Sequence, residues 1–355
     1  MKLRRLQFGF VALSATALLS FTFACGSVAS TPPDAGPQPD SGPQPDAAAD
    51  VVTTPDAGVA PVEPMNTARS LFGAVTGTDG QVRVFGGLST VGLTSSVEAY
   101  DAKANAWTDG TNAKVGRYAH TVAQDSNGDV YVIGGTSNGK TPIGTVEIYS
   151  PTKDAWTSAP DLPTPRLGLA AATAKDGRVF AIGGGVPGAA TNVVEVYSPG
   201  TKTWTAGPSM PTARLSLQAV TGADGLIYAI GGRDDDATPL AVVEVLDPVK
   251  GEWTSAPSLK EARYWFAATR MNDGRIAVLG GIGATGFLDG VEALGANTGW
   301  SSLTPMPEKR AWLSAAVAAD GRLLALGGSI ATIAQQPPPV ASALAYDAKS
   351  NAWSK

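Results

Sequence analysis

Histidine, the side chain best suited to moving protons near neutral pH, occurs once in these 355 residues, at His120. Cysteine also occurs once, at Cys25. That scarcity leaves no His/Cys cluster to hold a transition metal, so no metal site and no cofactor is expected, and a Ser-His-Asp triad is unsupported. Arginine and glutamate, by contrast, recur together: Arg69 with Glu98, Arg117 with Glu147, Arg166 with Glu195, Arg214 with Glu244 and Arg263 with Glu292. Recurrence at a fixed phase reads as structural ion pairing. At the sixth arginine, Arg310, the glutamate phase is held by Leu344. An arginine freed in this way could meet an anionic ligand group, although a degenerate last repeat is the plainer reading. The run Asp234-Asp235-Asp236 suits a cation or, more simply, a solvated loop tip.

The best site hint is aromatic. Two residues past each of the six arginines the chain carries Leu71, Ala119, Gly168, Ser216, Trp265 and Trp312. Only the last two are tryptophans, and Tyr264 and Phe266 flank the first. Exposed aromatics there would stack on a sugar ring or capture a peptide side chain; buried, they would plug a central channel. Tyr264, Trp265, Trp312, Arg263 and Arg310 are therefore the candidate ligand-binding residues, with no residue assigned a catalytic role. His120 has Phe72, Leu169, Leu217, Phe266 and Leu313 at its phase in the other repeats, and so reads as a packing histidine rather than a base.

Those residues must be positioned by a repeated element. Short apolar runs end in a glycine pair at Gly86-Gly87, Gly134-Gly135, Gly183-Gly184, Gly231-Gly232, Gly280-Gly281 and Gly327-Gly328, at steps of 48, 49, 48, 49 and 47. Arg69, Arg117, Arg166, Arg214, Arg263 and Arg310 keep the same steps. Trp107, Trp156, Trp204, Trp253, Trp300 and Trp353 follow the glycine pairs. Within each repeat a small-residue run after the arginine predicts strand a, and the run ending at Gly-Gly predicts strand b. An Asp-Gly or Asn-Gly pair between them suggests a type I′ hairpin turn. A β-branched run bearing the glutamate predicts strand c, and the tryptophan opens strand d. No stretch has a 3.6-residue apolar period, so the chain is expected to be all-β.

This grammar closely resembles the kelch family over about 290 residues. The resemblance implies a six-bladed β-propeller at 65–355, with blades near 65–110, 111–159, 160–207, 208–256, 257–303 and 304–355. Alanine-rich inner strands would fit where blades converge, and the tryptophans would wedge between blades. Copper-radical oxidases of the galactose oxidase type share such blades but need two histidine ligands and a cysteine-linked tyrosine, which this sequence lacks.

Residues 1–24 read as a signal peptide, with Lys2, Arg4 and Arg5 before an apolar stretch. Cys25 closes that stretch, which resembles a bacterial lipoprotein signal, and is the expected lipidation site; a secreted protein cut after Ser30 is the alternative. Residues 25–64 are Pro-, Asp-, Ala- and Gly-rich, contain no Lys or Arg and are predicted to be a disordered tether. Net charge is −5 with no basic stripe, which argues against nucleic acid, and one cysteine leaves no disulfide within the propeller. The sequence thus points to a monomeric propeller on the bacterial cell envelope, membrane-bound only through a lipid, or else secreted or periplasmic. It would bind a protein or glycan through loops at one propeller mouth and would not be an enzyme. A non-metal sugar isomerase resembling sialic-acid mutarotase is the rival. Ring closure is expected to involve residues 58–64 extending or pairing with strand d of the last blade.

Overall fold

The computed structural model describes residues 60–296, 298–330 and 337–355. The signal segment, Cys25, the tether up to residue 59, and Gln335-Gln336 of the last b–c loop lie outside them. Among the described residues the secondary structure is strand without helix, and the expectation of an all-β kelch-type propeller holds. Six four-stranded antiparallel sheets follow one another, each in the order a-b-c-d. The first comprises Gly73–Thr76, Val82–Phe85, Val97–Asp101 and Ala106–Gly110. The last comprises Ser314–Val317, Leu323–Leu326, Ala343–Asp347 and Ala352–Ser354. Each a strand lies beside the a strand of the next sheet, and the sixth lies beside the first.

The a–b turns depart from the expected type I′ form. Gly80, Gly128, Gly177, Gly225, Gly274 and Gly321 take φ between +79° and +90°, whereas the residue before each does not. Gly80 N–H donates to Gly77 O, and Gly77 N–H donates to Gln81 O. This is a type I turn followed by a left-handed glycine, so one residue rather than two needs positive φ. The aspartate instead accepts from the chain ahead, as Asp79 Oδ1 does from Gln81 N–H at 3.2 Å.

The core lies between blades. One apolar cluster sits at each blade interface, from Phe85, Val97, Val130, Val132 and Tyr149 between the first two blades round to Val84, Tyr100, Leu324 and Leu326 between the last and the first. The strand-d tryptophans cross these interfaces. Trp156 Nε1 donates to Thr111 O, Trp204 to Pro160 O, Trp253 to Pro208 O and Trp300 to Pro257 O, at 2.7–2.9 Å. Each acceptor stands six residues before the next repeat arginine, just past strand d of the preceding blade. Burying a side chain of this size contributes about 2–3 kcal/mol, so the tryptophans are both wedge and clamp.

Candidate functional site: the central channel and its two mouths

The six residues two places past the repeat arginines form a closed ring. Leu71 N–H donates to Trp312 O, Ala119 to Leu71, Gly168 to Ala119, Ser216 to Gly168, Trp265 to Ser216 and Trp312 to Trp265, at 2.7–3.1 Å. All six hold φ between +49° and +58°. A second circle surrounds it: the second glycine of each pair donates to the carbonyl of the next repeat arginine, from Gly87 to Arg117 O round to Gly328 to Arg69 O. A Cβ on Gly87 would stand 2.7 Å from Ser70 O, which explains the glycine pair. These circles mark the mouth that carries the b–c loops.

Left-handed backbone costs a bulky residue strain that glycine avoids. The fifth and sixth blades nonetheless place Trp265 and Trp312 there, both half-buried on the channel wall. Trp265 reaches past Ser216, its Cη2 standing 3.2 Å from where a Cβ on Gly168 would be. Trp312 packs edge-on against Phe287 of the fifth blade's b–c loop, with centroids 5.1 Å apart at 87°. Tyr264, also half-buried, has the Arg233 guanidinium 5.8 Å from its ring centroid. Phe287 and Arg233 were not singled out from the sequence, because the b–c loops do not follow the repeat.

The two candidate arginines lie elsewhere. Arg263 is fully buried, its Nη2 donating to Glu292 Oε1 at 2.8 Å and its Nη1 to Gly280 O and Gly290 O. Arg310 is equally buried, and the expectation of a freed guanidinium is corrected. Glu308, two residues before it, accepts its Nη2, while Gly327 O, Ser342 O and Ser342 Oγ take further N–H groups. The carboxylate has moved from strand c to the d–a connection. Neither arginine is presented to a ligand. Burial pulls the pKa of both below the ordinary arginine range, and the adjoining carboxylates oppose that pull. The other pairs, such as Arg214–Glu244 at 2.8 Å, are buried in the same way inside the blades.

Inward from the ring runs a channel of about 660 Å³. Strand a is the inner strand of every sheet, so its free edge faces the axis, and side chains from neighbouring blades satisfy part of it. Gln218 Nε2 donates to Phe266 O, Thr76 Oγ1 to Val317 O and Thr221 Oγ1 to Thr173 O. His120 borders the wall but is buried. Its imidazole pKa falls to about 3 because burial disfavours the cation, with Arg117 adding repulsion. At the opposite mouth, formed by the a–b turns, the lining includes Lys175 and Arg270, both exposed. Sequence reasoning missed them because each departs from its repeat phase in only one blade.

The KLHDC2/KLHL20/DRC7 Kelch-repeats domain matches residues 73–281. Over 72 residues, 20% of this chain, the sequence is 43% identical to Kelch-like protein 40 of Xenopus laevis and 42% identical to that of Xenopus tropicalis. The match spans about a tenth of the length of those relatives, 11% in each case. Among solved structures, that of YjhT superposes with a TM-score of 0.70 at 16% identity, covering 82% of this chain and 99% of YjhT. The expectation that the chain is not an enzyme is corrected: the likeness to YjhT shows the fold alone, and a fold of this kind leaves activity open.

Proposed function

The chain belongs to the kelch-repeat family, whose propellers are generally protein-binding scaffolds, and from that premise we propose that it is an envelope-anchored propeller holding a protein partner on its aromatic mouth. The observation that carries this reading is the pair of half-buried tryptophans at left-handed ring positions, beside Tyr264, Phe287 and Arg233. Aromatic and arginine side chains dominate the energetics of protein interfaces because they bury much surface with little rotamer loss. Strain retained at bulky residues is a mark of function when simpler residues serve the same backbone elsewhere. Leu71, Ala119, Gly168 and Ser216 do so in the other blades.

The test is retention of envelope proteins by the immobilised propeller, scored against Trp265→Ala/Trp312→Ala and against a glycan array. A protein retained by the parent and lost by the double variant supports the reading. Equal retention by both, or glycan binding that alone depends on the two tryptophans, overturns it. The anchoring half rests on the signal-like residues 1–24 and Cys25. Cys25→Ser should release the protein from the membrane fraction, and unchanged partitioning counts against lipidation.

A second reading, a sugar isomerase, is favoured by the channel, whose volume suits a small molecule. Anomer exchange of free sugars, followed by NMR, would rise above the uncatalysed rate with wild-type protein if this reading holds.

A further inference from the structure

We propose that the a–b-turn end of the channel is a binding site for a small organic carboxylate. Lys175 and Arg270 come from blades three and five, yet both reach the same turn of blade four between them. Lys175 Nζ donates to Ala223 O at 3.2 Å, and Arg270 Nη1 donates to Gly222 O at 3.3 Å. Adjacent acceptors thus bring two cations to one sector of the mouth. Each contact uses a single donor, leaving the remaining ammonium and guanidinium N–H groups for a ligand.

No carboxylate answers them. Among the described residues the channel lining holds no Asp or Glu, and neither cation takes part in an ion pair. The aspartates of the three surrounding turns serve their own turns. Asp176 pairs with Arg178 and Asp273 with Arg275, both at 2.7 Å. Asp224 accepts from Leu226 N–H and the Tyr228 hydroxyl. Two uncompensated cations at the rim of a low-dielectric channel focus an attractive field on an incoming anion. Beyond the rim the wall is built of small side chains, among them Ala74, Ala171, Ala219, Ala268 and Ala315, with Thr221 beside them. That leaves room for a ligand body as well as a charge, so an organic acid fits better than a bare inorganic anion. The arrangement is independent of the aromatic mouth, which lies at the other end of the strands.

The experiment is calorimetric titration of the full-length protein with glucuronate, citrate and benzoate, with glucose and inorganic phosphate as controls. At least one carboxylate should bind saturably and weaken as salt rises. Lys175→Gln and Arg270→Gln should each lower that affinity at least tenfold. Both side chains are exposed, so thermal unfolding should confirm that the variants remain folded. No saturable binding of any of the three acids overturns the proposal. So does affinity unchanged in both variants, or phosphate binding as tightly as the best carboxylate. Failure of partner capture by the tryptophan variants leaves these outcomes untouched, so the two readings fail separately.

Discussion

Six arginines with at most 1% exposure define the chemistry of this molecule at the residue scale. A guanidinium removed from water is costly unless its N–H groups find partners. Two carbonyls and one carboxylate take the terminal N–H groups of Arg214, while among the described residues its Nε, like those of Arg69 and Arg117, has no acceptor. Among the described residues Glu244 is the one acidic partner of Arg214, so Glu244→Gln should cost about 3 kcal/mol, read as a lowered denaturation midpoint. Glu308→Gln should cost a comparable amount because Glu308 takes the same part for Arg310. A change under about 0.5 kcal/mol there would mark Glu308 as a bystander. His120 gives a pH signature. It stays neutral in the fold down to about pH 3, while an unfolded-state imidazole titrates near 6.5. The unfolded chain therefore binds the extra proton between those values. Stability is fully present above about 6.5 and falls as pH drops through the window, by at most about 1.4 kcal/mol per unit. His120→Phe, the residue at this phase in blades one and five, should flatten that dependence; identical slopes at pH 7 and pH 4 would refute the assignment.

At the scale of elements, legibility followed the repeat. Strands, glycine pairs and tryptophan wedges were readable because each is dictated by the same local packing in every blade, so one register error would contradict five other copies; the hydrogen bond that makes each wedge a clamp was not. The clamp is testable. Trp300 is buried and its bond to Pro257 O, at 2.8 Å, is partly shielded, whereas the half-buried Trp204 makes its bond to Pro160 O in an exposed setting. Trp300→Phe should cost about 1–2 kcal/mol and Trp204→Phe distinctly less, since water replaces the lost partner less readily at the more shielded carbonyl. Equal losses would show that ring area alone matters. What the sequence hid was whatever breaks the repeat. The Arg310 partner sits two residues upstream instead of on strand c, the Phe287 contact to Trp312 comes from a variable loop, and Lys175 and Arg270 meet only because blade four stands between them. The last two juxtapositions depend on the blade-to-blade rotation, which no local pattern encodes, whereas the Arg310 partner was near in sequence but off the repeat phase.

At the scale of the whole molecule, the circle must be joined where its first and last blades meet. The expectation of strand pairing there is corrected: residues 60–65 form no strand, yet they stand in for the d–a connection that follows strand d in the other blades. Trp107 Nε1 donates to Glu63 O at 2.8 Å, six residues before Arg69, as its counterparts do elsewhere. Met65 N–H donates to Ala341 O, as Leu162 does to Gly144 O on blade two. Ala60 O, at the phase of Ser354, accepts from the Ser354 hydroxyl and from Arg322. Val62 and Met65 are buried among side chains of the first and sixth blades. The seam therefore rests on a few side chains and carbonyls rather than on a ladder, and it is the interface where local opening should begin. Val62→Ser combined with Met65→Ala should lower the unfolding midpoint and raise amide exchange first in Ala343–Asp347 and Gly73–Thr76, the strands flanking the seam. Trimming an equivalent pair such as Met210 and Leu217, between blades three and four, should lower the midpoint without that localised exchange. Uniform exchange in both variants would mean that the ring opens as one unit and that the seam is no weaker than the interfaces joined by continuous chain.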